Sequence, residues 1–317
     1  MHNVETRGFF GIYRNKRFNV VLQNVWGMRC WGSGCGFLLV LECDRQCYLF
    51  NPLTQIRLNL PPKPIFMGER RNRAASVRGC LRQAFVFRDG SRDQFGIDQF
   101  LVVLAGNFSG NLAFARPGNR NWVHVKIPSP VESAAWCNGR LCVVIGAGAL
   151  FCCESKDCDY GTIEFGAKHL ASQPLSVTIW YDLSLVEASG DLLLVLRRLS
   201  QGGTRDWHKT KHFRVYQLDF EAKKWVKLDD LGDRTLFIGA DNSAMCLRAS
   251  QVEKCKANCI YFVEKFWDKG GRYGGGHDWG IFHMVDGCIE PHFISDADGS
   301  SFRLVNPHPA WVMPSLC

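Results

Sequence analysis

The sequence has almost no helical periodicity. Its apolar residues do not recur at three- and four-residue spacing over any long stretch, which points away from helical folds. No apolar run approaches the roughly 18–20 residues that a bilayer-spanning helix requires. The opening residues, Met1-His2-Asn3-Val4-Glu5-Thr6-Arg7, lack the uninterrupted apolar segment of a secretory signal. Arg7, Arg14, Lys16 and Arg17 are basic enough for a transit peptide, but Phe9 to Leu22 reads as two strands around the turn Arg14-Asn15-Lys16. An intracellular location, cytoplasm or nucleus, is the expectation.

Marks of chemistry are equally scarce. The 15 cysteines include Cys30/Cys35, Cys43/Cys47 and Cys255/Cys259, whose gaps do not suit a zinc ribbon, and the adjacent pair Cys152-Cys153. Thiols in a reducing compartment stay free, so buried structural cysteines are expected. The nine histidines are scattered, with no second His or carboxylate at ligand spacing on one element. His124 and His283 fall in apparent strands. No Gly-x-Ser-x-Gly nucleophile turn occurs. Gly32-Ser33-Gly34-Cys35-Gly36 lacks the Gly-Lys-Ser/Thr ending of a phosphate loop and leads into a strand, so it reads as a tight turn. No cofactor and no metal are expected.

What the sequence does have is a recurring phrase. Gly36 to Leu41 is an apolar strand, followed by Tyr48-Leu49-Phe50, the corner Asn51-Pro52-Leu53-Thr54, and a strand from Ile56 to Pro62. The phrase returns as Phe100 to Leu104, Leu112-Ala113-Phe114, Arg116-Pro117-Gly118-Asn119, and Trp122 to Pro128. Repetition on this scale signals a stacked or radial architecture. Four-strand groups can be marked off at 26–62, 80–128, 133–165, 184–231 and 236–291. The third contains Asn138-Gly139, which suits a type I′ hairpin because both central positions need positive φ. Half a group remains at each end: Phe9 to Tyr13 with Phe18 to Leu22, and Phe302 to Val305 with Trp311-Val312-Met313. The expectation is one all-β domain over residues 1–317, a β-propeller of six four-stranded blades closed by strands from both termini, which would leave no exposed edge at the seam. A β-sandwich is the competing fold, and 317 residues without a linker is long for one.

These stretches resemble a plant family, the F-box proteins whose C-terminal part is a KIB-type β-propeller. The resemblance lies in Arg29 to Ser33 running into Gly36-Phe37-Leu38, in Leu49 to Thr54, and in Leu58 to Pro62. It continues in Leu185 to Val195, Phe213 to Asp219, Leu231 to Gly239, Cys255 to Phe262 and Pro309 to Leu316. It implies a substrate-recognition propeller of the kind that selects proteins for ubiquitin ligation. Members of full form carry a helical F-box ahead of the propeller to dock a ligase adaptor. Here strands follow Met1 almost at once, so adaptor docking through an F-box is not expected.

Net charge is +8, from 38 Lys and Arg against 30 Asp and Glu, which favours acidic partners. The densest basic run holds Arg70, Arg71 and Arg73. In a propeller, loops joining the second and third strands of a blade share a rim with loops joining successive blades. The insertions 200–211 and 265–278 and the Arg70 loop should therefore rise together. That rim would display Arg70, Arg71, Arg73, Trp207, Lys209, Lys211, Trp267, Arg272 and Tyr273, residue types that often dominate protein interfaces. The expected function is non-catalytic recognition of an acidic protein partner, with no membrane and no nucleic acid. The alternatives are a propeller enzyme with a central-channel site, and an RNA-binding protein using the glycine-rich stretch Gly270 to His277.

Overall fold

The computed structural model describes residues 4–11, 16–23, 29–42, 46–64, 66, 81–92, 98–106, 110–146, 148–157, 163–174, 181–200, 209–239, 244–263, 278–291 and 311–313. An N-terminal hairpin pairs β1 (Val4–Gly11) with β2 (Lys16–Gln23), Phe9 opposite Phe18. Next comes the first blade: β3 (Arg29–Trp31), β4 (Leu38–Leu41), β5 (Cys47–Phe50) and β6 (Arg57–Asn59). The second holds β7 (Leu81–Arg92), β8 (Asp98–Gly106), β9 (Asn111–Ala115) and β10 (Val123–Lys126). The third holds β11 (Val131–Cys137), β12 (Arg140–Ile145), β13 (Leu150–Asp157) and β14 (Ile163–Ala171). The fourth holds β15 (Tyr181–Ala188), β16 (Asp191–Leu199), β17 (Thr210–Asp219) and β18 (Lys224–Leu228). In all four, the strands pair in chain order and antiparallel.

Burial explains the sequence of each blade. A second strand lies between two neighbours in its sheet and between two neighbouring sheets. Leu192 to Arg197 of β16 are accordingly all buried, which is why Leu-Leu-Leu-Val-Leu runs on without alternating. The outer strands are wet: β6 and β18 are mostly exposed. The hairpin turns behave as their residues dictate. Asn138 and Gly139 both take positive φ, as do Ser189 and Gly190. At the first corner, Asn51 Oδ1 accepts hydrogen bonds from the backbone N–H of Leu53 and Thr54. The 32–36 segment is a tight turn between β3 and β4, with Gly36 at φ 85°.

The fifth blade is built differently. It contains β19 (Arg234–Ile238), β20 (Ala244–Arg248), β21 (Cys259–Phe262), β22 (Gly280–His283) and β23 (Ile289–Pro291), in the spatial order β20-β19-β21-β22-β23. After β19 the chain turns back along the inner side as β20, then crosses to the outer side of β19. There β21 pairs parallel to β19, Leu236 opposite Ile260.

Successive blades share apolar clusters face to face. Trp31, Phe37 and Phe100 join the first to the second; Val103 and Val143 join the second to the third. Cys142 and Leu194 join the third to the fourth; Val215 and Ile260 join the fourth to the fifth. Between the fifth and the first stands the C-terminal segment. Trp311 packs edge-on to Phe237 at 5.2 Å and donates its indole N–H to the Ile238 carbonyl. Val312 packs on the first blade with Cys30, Leu38, Val40 and Tyr48. Met313 N–H donates to the Ser33 carbonyl.

The molecule is therefore a β-propeller, and its described residues form five blades rather than the six expected. The inner pair assigned to a sixth blade does not form among the described residues. Trp311, Val312 and Met313 carry no strand and work as packing across the seam, and Phe302 to Val305 lie outside the described residues. The β1–β2 hairpin exists as expected, as a two-stranded sheet of its own. The apolar pattern of Trp311 and Val312 signalled burial, and their burial comes from wedging across the seam instead of strand pairing.

The described cysteines are free thiols, and eight of them are buried: Cys30, Cys35, Cys47, Cys137, Cys142, Cys152, Cys153 and Cys259. Cys142 and Cys152 sit opposite each other on β12 and β13, with sulfurs 3.1 Å apart.

Candidate functional site

Arg197, near the end of β16, is 1% exposed. Its three guanidinium nitrogens reach three different elements. Nε donates to Thr210 Oγ1 at 2.7 Å, Nη1 to the Val263 carbonyl at 2.9 Å and Nη2 to Asp278 Oδ2 at 2.7 Å. Thr210 passes the contact on: its hydroxyl donates to Asp278 Oδ2 at 2.7 Å and its backbone N–H to Asp278 Oδ1 at 2.9 Å. The Phe262 ring lies 5.0 Å from the guanidinium carbon. A buried charge is tolerated only when it is paired and its other donors are satisfied, and here both conditions hold.

The network joins the feet of two long connections. Arg197 and Thr210 flank the β16–β17 connection, and Val263 and Asp278 flank the β21–β22 connection. The foot of the first is closed further by Ser200 N–H donating to the Lys209 carbonyl and Lys209 N–H donating to Ser200 Oγ. Both connections leave on the same rim because β21 runs parallel to β19.

The second blade begins at that rim too. The start of β7 lies beside the start of β11, where Arg82 pairs with Glu132. The end of β11 lies beside the end of β15, where Asn138 Nδ2 donates to the Gly190 carbonyl at 2.9 Å. Tyr181 at the start of β15 pairs with Arg198, at the Arg197 end of β16. The innermost strands thus run one way and begin at the Arg197 rim, and the chain preceding β7 arrives there.

Of the residues expected on the rim, Lys209 is half-buried and Lys211 exposed, one on each side of Thr210. Arg70, Arg71, Arg73, Trp207, Trp267, Arg272 and Tyr273 lie outside the described residues, as does Gly270 to His277. The Arg197–Asp278 pair was not legible in the sequence. Its members are 81 positions apart, and only the parallel crossover in the fifth blade brings them together.

At the opposite rim, among the described residues, one line of side chains looks like nucleophile chemistry. Cys259 Sγ is 3.4 Å from His283 Nδ1, and His283 Nε2 is 3.1 Å from Glu290 Oε2. The thiol is 2% exposed, and burial pushes it up from its ordinary value, only partly opposed by Lys256. A shielded, protonated thiol is a poor nucleophile. Lys256 also pairs with Glu290, so the carboxylate is shared, and the line reads as a polar strap across β21, β22 and β23.

Five radial sheets, with the feet of the β16–β17 and β21–β22 connections tied together on one rim, define a β-propeller. The chain belongs to the KIB1-4 beta-propeller family, whose pattern it matches over residues 9–283. Its relatives include F-box proteins of Arabidopsis thaliana. It is 25% identical to At5g55150 over 74% of this chain and 61% of that one. It is 24% identical to F-box protein SKIP23 over 68% of this chain and 54% of that one. With F-box protein At4g35733 the identity is 30% over 43% of this chain and 37% of that one. The chain thus spans about three fifths or less of the length of these three relatives. An apocarotenoid oxygenase structure from Synechocystis aligns with 84% of this chain and 59% of that one at a TM-score of 0.36 and 12% identity, a likeness too loose to carry an argument. No helix of the described residues is long and apolar enough to cross a membrane.

Proposed function

We propose that the chain is a non-catalytic recognition propeller, one domain over residues 1–317, that holds a protein partner on the rim of its long loops. The observation that carries this reading is the Arg197–Asp278 pair, which ties the feet of two loops into a single rigid base. Pre-fixed loop bases lower the ordering cost of binding. In this reading Arg70, Arg71, Arg73, Trp207, Lys209, Lys211, Trp267, Arg272 and Tyr273 form the gripping surface, and its positive charge selects an acidic partner. Kinship with F-box proteins supports a role in choosing proteins for ubiquitin ligation, and the interior of free thiols suits the cytoplasm or nucleus.

The test is affinity capture from plant extract, with bound proteins identified by mass spectrometry. The variant Arg70→Glu/Arg71→Glu/Arg73→Glu should lose the specific partner while its thermal midpoint stays where it was. Capture that the triple variant leaves unchanged rejects the rim.

A further inference from the structure

We propose that the outer flank of the fourth blade is a docking surface for an acidic stretch of polypeptide, held by Arg198, Arg214 and Lys227. The inference rests on the protein-recognition reading above and names the chemistry of what is recognised. Leu194 and Leu196 of β16, Tyr216 and Leu218 of β17 and Trp225 of β18 all pack toward the third blade. Strand alternation puts Arg198, Arg214 and Lys227 on that same side. Register aligns them. Arg214 stands opposite Leu196, one diagonal step from Arg198, and Lys227 stands opposite Tyr216, one diagonal step from Arg214. Such diagonal neighbours lie about 7–8 Å apart.

Like charges at this spacing oppose folding, and little nearby relieves them. Among the described residues no carboxylate lies within ion-pair distance of Arg198 or Arg214, while Asp229 pairs with Lys227. His212, the register partner of Arg198, feels the same field. Burial first, then Arg214, Lys227 and Arg198, hold its imidazole below the ordinary value. A cationic row in which only Lys227 has a described carboxylate partner is a surface prepared for an anion.

Two features favour polypeptide over nucleic acid. Tyr181, Tyr216, Phe220 and Trp225, the phenol, phenyl and indole rings of the fourth blade on this side, all pack against the cluster between the third and fourth blades and none is fully exposed, which disfavours base stacking. In addition, β18 is the outer strand of its sheet, an edge along which an extended peptide can pair.

The test uses a fluorescent deca-glutamate peptide and the full chain in low salt, read by anisotropy. The wild type should bind, and Arg198→Glu/Arg214→Glu should weaken binding about tenfold. Arg120→Glu/Lys126→Glu, which makes the same charge change on the second blade, should alter it less than about twofold. A thermal scan of each variant separates lost binding from lost fold. The inference is overturned if the wild type does not bind, if both double variants weaken binding equally, or if a deca-uridine RNA binds more tightly than the peptide through Arg198 and Arg214. The loop variant Arg70→Glu/Arg71→Glu/Arg73→Glu should lose extract capture yet retain most peptide binding, so failure of the flank and failure of the rim give different results.

Discussion

Asp278 receives Arg197 and Thr210 through the same oxygen, Oδ2, at 2.7 Å each. One carboxylate therefore fixes both ends of the β16–β17 connection. Asp278→Ala would leave a guanidinium buried without its counter-charge, at a cost of about 3–5 kcal/mol. Urea unfolding should register that loss. The double change Arg197→Met/Asp278→Leu should recover much of it, and a double variant as unstable as Asp278→Ala would show that the ion pair is not the source.

Gly110 faces a different constraint. A Cβ built there would lie 1.8 Å from the Ile127 carbonyl oxygen, and Ile127 N–H already donates to the Gly110 carbonyl. Backbone cannot yield as a side-chain tip can. Gly110→Ala should destabilise by about 3 kcal/mol, measured as a lower urea midpoint at unchanged slope. A midpoint within error of wild type would refute the close approach.

Alkaline pH should unfold the chain through its thiols. Burial pushes Cys47 and Cys153 up to about 12 and Cys137 up to about 11, from an ordinary value of 9.0. Between the ordinary and the raised values the unfolded chain gives up these protons first. Stability is therefore fully present below pH 9.0 and falls as pH rises toward the folded-state values. Thermal midpoints measured from pH 7 to 11 should drop beyond about 9, and Cys47→Ala/Cys153→Ala should flatten the drop. An unchanged slope in that variant would assign the effect to other groups.

Trp311 is the wedge of the seam. Trp311→Ala removes the ring against Phe237 and the donor to the Ile238 carbonyl, and should cost about 3 kcal/mol. Amide exchange should then speed up selectively in β4 and β19, the strands that bear the seam, while β12 and β16 keep their protection. Uniform acceleration across all blades would mean that the seam is no weaker than the rest.

The five groups of strands were legible because each blade repeats one burial profile, from apolar second strand to wet outer strand. Asn138-Gly139 marked its turn by the φ angles that only such residues accept readily. β20 escaped notice: Ala244-Met245-Cys246-Leu247-Arg248 has no β-branched residue and no alternation, and it becomes a strand by filling the inner position of the fifth sheet. The sixth blade was over-read because Trp311 and Val312 look like a strand when only their hydrophobicity is visible. Arg197 and Asp278, and the row from Arg198 to Lys227, depend on register and crossover. Those are properties of pairing between distant segments, which no single stretch of sequence carries.

The bond from Met313 to Ser33 has a consequence for how the protein is made. While a ribosome is still adding the later blades, Val312 is not yet there to cover the apolar face of Cys30, Leu38, Val40 and Tyr48. The nascent chain carries that sticky surface until Val312 and Met313 emerge, so a chaperone that shields the first blade should set the yield in the cell.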